Sequence, residues 1–172
     1  MVDIKKCNLD FRYERSIESM GTGLILFKIR VKEKNIGHNY HLFYENGKKP
    51  PLDVAINPKK GTIEYISFFL QDEKLDLNEM NLDLSLAENN IIITDSRLSE
   101  NSCDISMHKE FSTFLSGNSI IVVEQRVEGN LMGYKLNEFN YILFNKDQEV
   151  AGVILKNITS DEMEQIKESK AI

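Results

Sequence analysis

The chain has 172 residues, of which 41% are hydrophobic and 28% charged, with a formal net charge of −6. That length fits one domain, residues 1–172, with room for a sizeable core. The acidic balance disfavours an electrostatic nucleic-acid binder, which needs clustered Lys and Arg.

Three further absences bound the setting. No apolar run approaches the length of a membrane-spanning helix, so no membrane partner is expected. No apolar stretch follows Lys5-Lys6, as a secretory signal would require. Two cysteines do not make a disulfide framework, and a cytoplasmic location follows as the expectation.

In chain order the dominant period is two. Cys7, Leu9, Phe11 and Tyr13 alternate with Asn8, Asp10, Arg12 and Glu14, the pattern of a strand with one wet face. Met20-Gly21-Thr22-Gly23 reads as a turn. Ile25, Phe27, Ile29 and Val31 then alternate with Lys28, Arg30 and Lys32. Leu52, Val54 and Ile56 form a third segment, closed by Asn57-Pro58-Lys59-Lys60-Gly61, where proline presets a turn and glycine supplies a positive φ. The return strand from Ile63 to Leu70 is apolar on both faces, which predicts a central strand covered on both sides.

Gln71 to Asn90 turns acidic, with Asp72, Glu73, Asp76, Glu79, Asp83 and Glu88 against Lys74 alone. Ile91-Ile92-Ile93 is strand-like, and Ser96 to Asp104 is a polar loop. Ile105 to Gly117 supports two readings. Met107, Phe111, Phe114 and Leu115 have helical spacing ended by Gly117, whereas Cys103, Ile105 and Met107 alternate as a strand. The expectation is a strand followed by a short helical link.

Ser119 to Val127 is a strand, and Tyr141 to Phe144 pairs with Val150 to Leu155 across Asn145-Lys146-Asp147-Gln148. Thr159 and Glu162 spell a capping box, with Ile158 and Met163 as the hydrophobic staple. The helix from Ser160 to about Ser169 is expected to pack through Met163 and Ile166. The expected class is α+β, a mainly antiparallel β-sheet with a short C-terminal helix.

An echo runs through this order. Cys7 to Val31 set against Cys103 to Val127, a shift of 96 residues, shares seven of 25 positions, among them Gly21/Gly117, Ile25/Ile121 and Arg30/Arg126. Asn57 and Asn145 open two hairpins 88 residues apart, and Tyr40-His41-Leu42 and Tyr134-Lys135-Leu136 fall between at a shift of 94. This pattern suggests duplication of a β unit, with repeat units of about 1–90 and 91–172.

Signatures of chemistry are scarce. Gly47-Lys48 has Leu42 where a phosphate loop needs glycine, and no Gly-x-Ser-x-Gly elbow or Cys-x-x-Cys pair occurs. His38-x-x-His41 is the best metal candidate, but no carboxylate stands near it before Glu45. Cys7 and Cys103 lie on apolar alternations and are expected to be buried small hydrophobes rather than nucleophiles. No catalytic residue, metal site or cofactor is therefore expected.

The acidic stretch has more than one reading. No spacing singles out a carboxylate pair for acid–base work, and the ligand rhythm of a calcium loop is missing. It reads either as a solvated loop or as a negative face toward a partner, with Asp72, Glu73, Asp76, Glu79, Asp83 and Glu88 as the partner-binding residues.

The run Ile56-Asn57-Pro58-Lys59-Lys60-Gly61-Thr62-Ile63-Glu64-Tyr65-Ile66-Ser67-Phe68-Phe69-Leu70 resembles hairpins in small single-domain proteins of Gram-positive bacteria. So does Tyr141-Ile142-Leu143-Phe144-Asn145-Lys146-Asp147, followed by Gly152-Val153-Ile154-Leu155 and the capped helix. Several such proteins are thought to be immunity proteins of polymorphic toxin systems. The resemblance covers about a quarter of the chain, lies in structural turns, and carries no functional residues across.

It implies a non-enzymatic module that binds a protein with a basic or neutral surface, an immunity protein occluding a toxin. The alternative is a ligand-binding or hydrolytic β domain with its pocket between sheet faces, using buried carboxylates with His38 or His41.

Overall fold

The computed structural model describes residues 2–8 and 11–172. In chain order the first strands are β1 (Val2–Cys7), β2 (Tyr13–Ser19), β3 (Leu24–Val31), β4 (Tyr40–Asn46), β5 (Lys49–Ile56), β6 (Ile63–Gln71) and β7 (Leu84–Ala87). Then come β8 (Asn90–Asp95), β9 (Asp104–His108), β10 (Phe111–Ser116), β11 (Ser119–Glu124), β12 (Leu131–Asn137), β13 (Asn140–Phe144) and β14 (Val150–Leu155). One helix, α1 (Ser160–Glu168), follows. The chain is mainly antiparallel β with a short C-terminal helix.

Two six-stranded sheets share one order. The first runs β2-β3-β6-β5-β4-β9, the second β10-β11-β14-β13-β12-β7. In each, five strands pair antiparallel, and the sixth adds parallel to the edge, β9 beside β4 and β7 beside β12. β1 and β8 form a separate antiparallel ribbon. The inward faces of both sheets meet in one core, to which the first contributes Phe27, Ile29, Leu42, Val54 and Ile66, and the second Ile120, Ile142, Phe144 and Val153. Tyr44 and Phe111 meet edge-on across it, with ring centroids 6.2 Å apart.

The two segments of the echo carry β2 and β3 in one half and β10 and β11 in the other, but the constant shift does not keep β3 and β11 in the same register. β3 and β11 are second in their sheets, and Asn57 and Asn145 do the same work. Each side-chain oxygen accepts backbone N–H groups of its turn, from Lys59 and Lys60 in one and Asp147 and Glu149 in the other. At a shift of 96, however, Ile25 falls on Ile121, and these face opposite ways. Ile25 lies in the main core, and Ile121 packs on a second cluster. The β2–β3 turn holds Gly21-Thr22-Gly23 between Met20 and Leu24, while the β10–β11 turn holds Gly117-Asn118 between Ser116 and Ser119. One residue fewer in the turn flips every side chain of the return strand.

Other expectations are corrected. The alternation from Cys7 to Tyr13 is divided: β1 ends at Cys7 and β2 begins at Tyr13, with Leu9 and Asp10 outside the described residues. Ile105 to Gly117 contains no helical link. Met107 and Phe111 point into the same core from β9 and β10, which belong to different sheets, and that convergence imitates helical spacing. The strand beginning at Ser119 stops at Glu124.

Double coverage falls elsewhere than expected. On β6, Ile66, Phe68 and Leu70 are buried, but Tyr65, Ser67 and Phe69 are only half-buried on the outer face. The strands buried on both faces are β13 and β14. Ile142 and Phe144 enter the main core, while Tyr141 and Leu143 turn to the second cluster with Val123, Leu131, Ala151 and Ile154. Gly152 sits where β14 pairs with β11, opposite Val123, and a Cβ there would run into the Val122 carbonyl oxygen.

The helix begins as its sequence predicts. The Thr159 hydroxyl accepts from the Glu162 N–H, the Glu162 carboxylate accepts from the Thr159 N–H, and Ile166 is fully buried.

Candidate functional site

The acidic segment is a strap rather than a free loop. Met80, Leu82 and Leu84 pack on the outer cluster of the second sheet, and Leu75 is 4% exposed in the main core. The backbone is tied down along its length. Leu75 N–H donates to the Ala171 carbonyl at 2.7 Å, Asp76 N–H to Thr113 at 2.9 Å, and Leu131 N–H to Asp83 at 2.7 Å. Leu75, Met80, Leu82 and Leu84 thus turn inward, Leu77 and Leu86 stay exposed, and most carboxylates face water. Asp72, Glu73, Glu79, Asp83 and Glu88 are exposed, and Asp76 is half-buried.

These six carboxylates do not converge on one point. Glu73 pairs with Lys49 at the start of β5, and Glu88 with Lys135 of β12 at 2.9 Å. Asp83 accepts from the Asn130 amide at 3.0 Å, and Asp76 accepts from the Asn78 N–H at 2.9 Å. They are spread along the segment, with Asp72 and Glu73 beside the first sheet and Asp83 and Glu88 beside β12 of the second.

The first sheet carries no such strap, and its outer face holds a polar cluster that sequence reading missed. Asp53, 9% exposed, accepts from the Tyr65 hydroxyl at 2.8 Å, and its other oxygen lies 2.9 Å from His41 Nδ1. The His41 ring stacks on Phe43, with centroids 5.1 Å apart, and Lys28 Nζ lies 4.3 Å from the centre of the Tyr65 ring.

Burial, with the hydrogen bond to Asp53, pushes the Tyr65 phenol well above its ordinary value. Around His41, sequence reading sought a carboxylate close in the chain. Asp53 arrives instead across the β4–β5 hairpin, diagonal to His41 in a register that sets Phe43 opposite it. The legible signal was that hairpin, not the spacing. His38 lies outside the cluster, exposed in the β3–β4 connection.

Neither cysteine sits as expected. Cys103 is exposed and Cys7 half-buried, and both are free thiols. Cys103 lies just before β9, an edge strand, where alternation leaves one side to water. Among the described residues no group of three or more His, Cys, Asp or Glu is placed to hold a metal ion, and no helix is long and apolar enough to cross a membrane. No family model matches the chain, and no curated protein matches it.

Proposed function

We propose that this chain is a non-enzymatic protein-binding module, an immunity-type protein that neutralises a bacterial toxin by occluding it in the cytoplasm. The observation that carries this reading is the strap. Met80, Leu82 and Leu84 hold its later half on the second sheet and Leu75 holds its start in the main core, so Asp72, Glu73, Glu79, Asp83 and Glu88 are exposed on a backbone tied down at both ends. A preorganised negative surface loses little entropy on docking and steers a basic partner by long-range attraction. A toxin that acts on nucleic acid has such a basic site, and spaced carboxylates can stand in for phosphates there.

The test is co-expression with the product of the adjacent gene in a heterologous host. Growth rescue by the parent chain is expected. Rescue should weaken when the six acidic positions carry Asn or Gln, and association in stopped flow should slow as salt rises. A neighbouring product that is harmless, or that the neutralised chain blocks as well as the parent, would sink the proposal.

One observation favours a second reading, a hydrolytic or ligand-binding β domain. His41, with Nδ1 held by a nearly buried Asp53, has the arrangement of an oriented general base. Loss of a hydrolytic activity in His41→Ala, with toxin rescue untouched, would select it.

A further inference from the structure

An open cleft of about 750 Å3 lies between the β3–β4 connection and the β5–β6 hairpin. Its apolar lining is Phe11, Val31 and Ile36, the last fully exposed. Four cations line it, Arg12, Lys34, Lys59 and Lys60, against two carboxylates, Glu33 and Glu64. Among the described residues no carboxylate pairs with any of these four cations. In a chain of net charge −6, this is a local reversal of sign.

The walls are built rather than loose. Glu64 is 6% exposed and ties both sides together, accepting from the Asn57 amide at 3.0 Å and from the Asn35 backbone N–H at 3.2 Å. Asn57 in turn holds the hairpin that carries two of the cations, through the N–H groups of Lys59 and Lys60 at 2.9 and 3.0 Å. Gly61 closes that turn at φ +72°, and a Cβ there would strike the Ile92 side chain. The backbone that carries Lys59 and Lys60 is therefore set before any ligand arrives, which reduces the ordering cost of binding.

The geometry points to a binding site for a small organic anion, with an apolar or aromatic body and one phosphate or carboxylate group. The body rests on Phe11, Val31 and Ile36, and the anion sits among Arg12, Lys34, Lys59 and Lys60. The enclosed Glu64 carboxylate sets the orientation, because it repels a like charge from the floor of the cleft and sends the anionic group to the rim. The arrangement pairs a small apolar patch with convergent polar groups, the combination by which a site fixes the orientation of a small molecule. None of the six strap carboxylates lines it, and the assignment does not depend on what the strap binds.

Calorimetry and amide chemical shifts with phenyl phosphate, benzoate, phenol and inorganic phosphate test this assignment. Saturable binding of phenyl phosphate or benzoate is expected, with phenol and inorganic phosphate at least about tenfold weaker, and with shifts at Phe11, Asn35 and Ile36. The stronger of the two aromatic anions tells phosphate from carboxylate. The double variant Lys59→Glu, Lys60→Glu should lose about tenfold or more while melting like the parent, since both residues are exposed in the turn. Should that variant fail to fold, Arg12→Gln serves the same purpose.

No saturation by either aromatic anion at about 10 mM would overturn the site, as would inorganic phosphate binding equally well or affinity that ignores these substitutions.

Discussion

Arg15 and Glu162 meet in a two-pronged ion pair, Nε to Oε1 and Nη2 to Oε2, both at 2.8 Å. The same guanidinium donates to the Asn140 side-chain oxygen at 2.9 Å and to the Lys156 carbonyl at 2.8 Å. One side chain from β2 thus joins the first sheet to β13, to the end of β14 and to the capping-box glutamate of α1. Its exposure is only 9%, so the charge depends on these partners.

Arg15→Ala should therefore destabilise the protein by about 3–5 kcal/mol, because it strands an enclosed carboxylate and several acceptors. Arg30→Ala, which removes an exposed pair with Glu14, should cost less than about 1 kcal/mol. Urea unfolding of the two variants measures the contrast, and similar midpoints would contradict it.

Acid should weaken the fold through two carboxyls. Asp95 is fully enclosed; burial pushes its pKa up, but hydrogen bonds from the Arg97 side chain and backbone outweigh that and bring it down to about 2. For Glu162 burial likewise opposes, and Arg15 and the Thr159 N–H hold it below the usual range. Both are depressed in the folded state, so their contribution is complete above the unfolded value of about 4. It is lost as pH falls from there toward 2, on the order of 2 kcal/mol for Asp95. Melting temperatures between pH 7 and pH 2.5 should show the drop, and Arg97→Ala should make it smaller.

Leu75→Ala distinguishes a packed strap from a solvated loop. A buried leucine in the core should cost about 2–5 kcal/mol, whereas a loop leucine would cost almost nothing. Leu77→Ala, at an exposed position in the same segment, is the control and should melt within about 0.5 kcal/mol of the parent.

Native protein should react with one equivalent of a thiol reagent quickly, at Cys103, and more slowly at the half-buried Cys7. Cys103→Ser should remove the fast phase alone.

Much of the fold is legible where the signal is local. The hairpin at Asn57 to Gly61, the hairpin at Asn145 and the capping box at Thr159 depend on residues a few positions apart, and each formed as read. Of the two strands that join an edge in parallel, β9 is legible from the alternation of Cys103, Ile105 and Met107, and β7 is not. β7 is the four residues Leu84–Ala87 in an acidic stretch, and only its pairing with β12 makes it a strand. β12 itself, with Gly133 and Lys135 inside it, has no clean alternation. The Asp53 cluster stayed hidden because its partners lie 12 residues away on either side, and only the sheet register unites them.

The borrowed edge strands have a consequence for synthesis. β4 is finished at Asn46, but the strand that closes its outer edge begins at Asp104. A nascent chain leaving the ribosome carries that edge uncovered through nearly sixty further residues. The first sheet spends this interval as a template for any other extended chain nearby. A ribosome that pauses between the two strands would prolong the exposure, and one that moves quickly through the strap would shorten it.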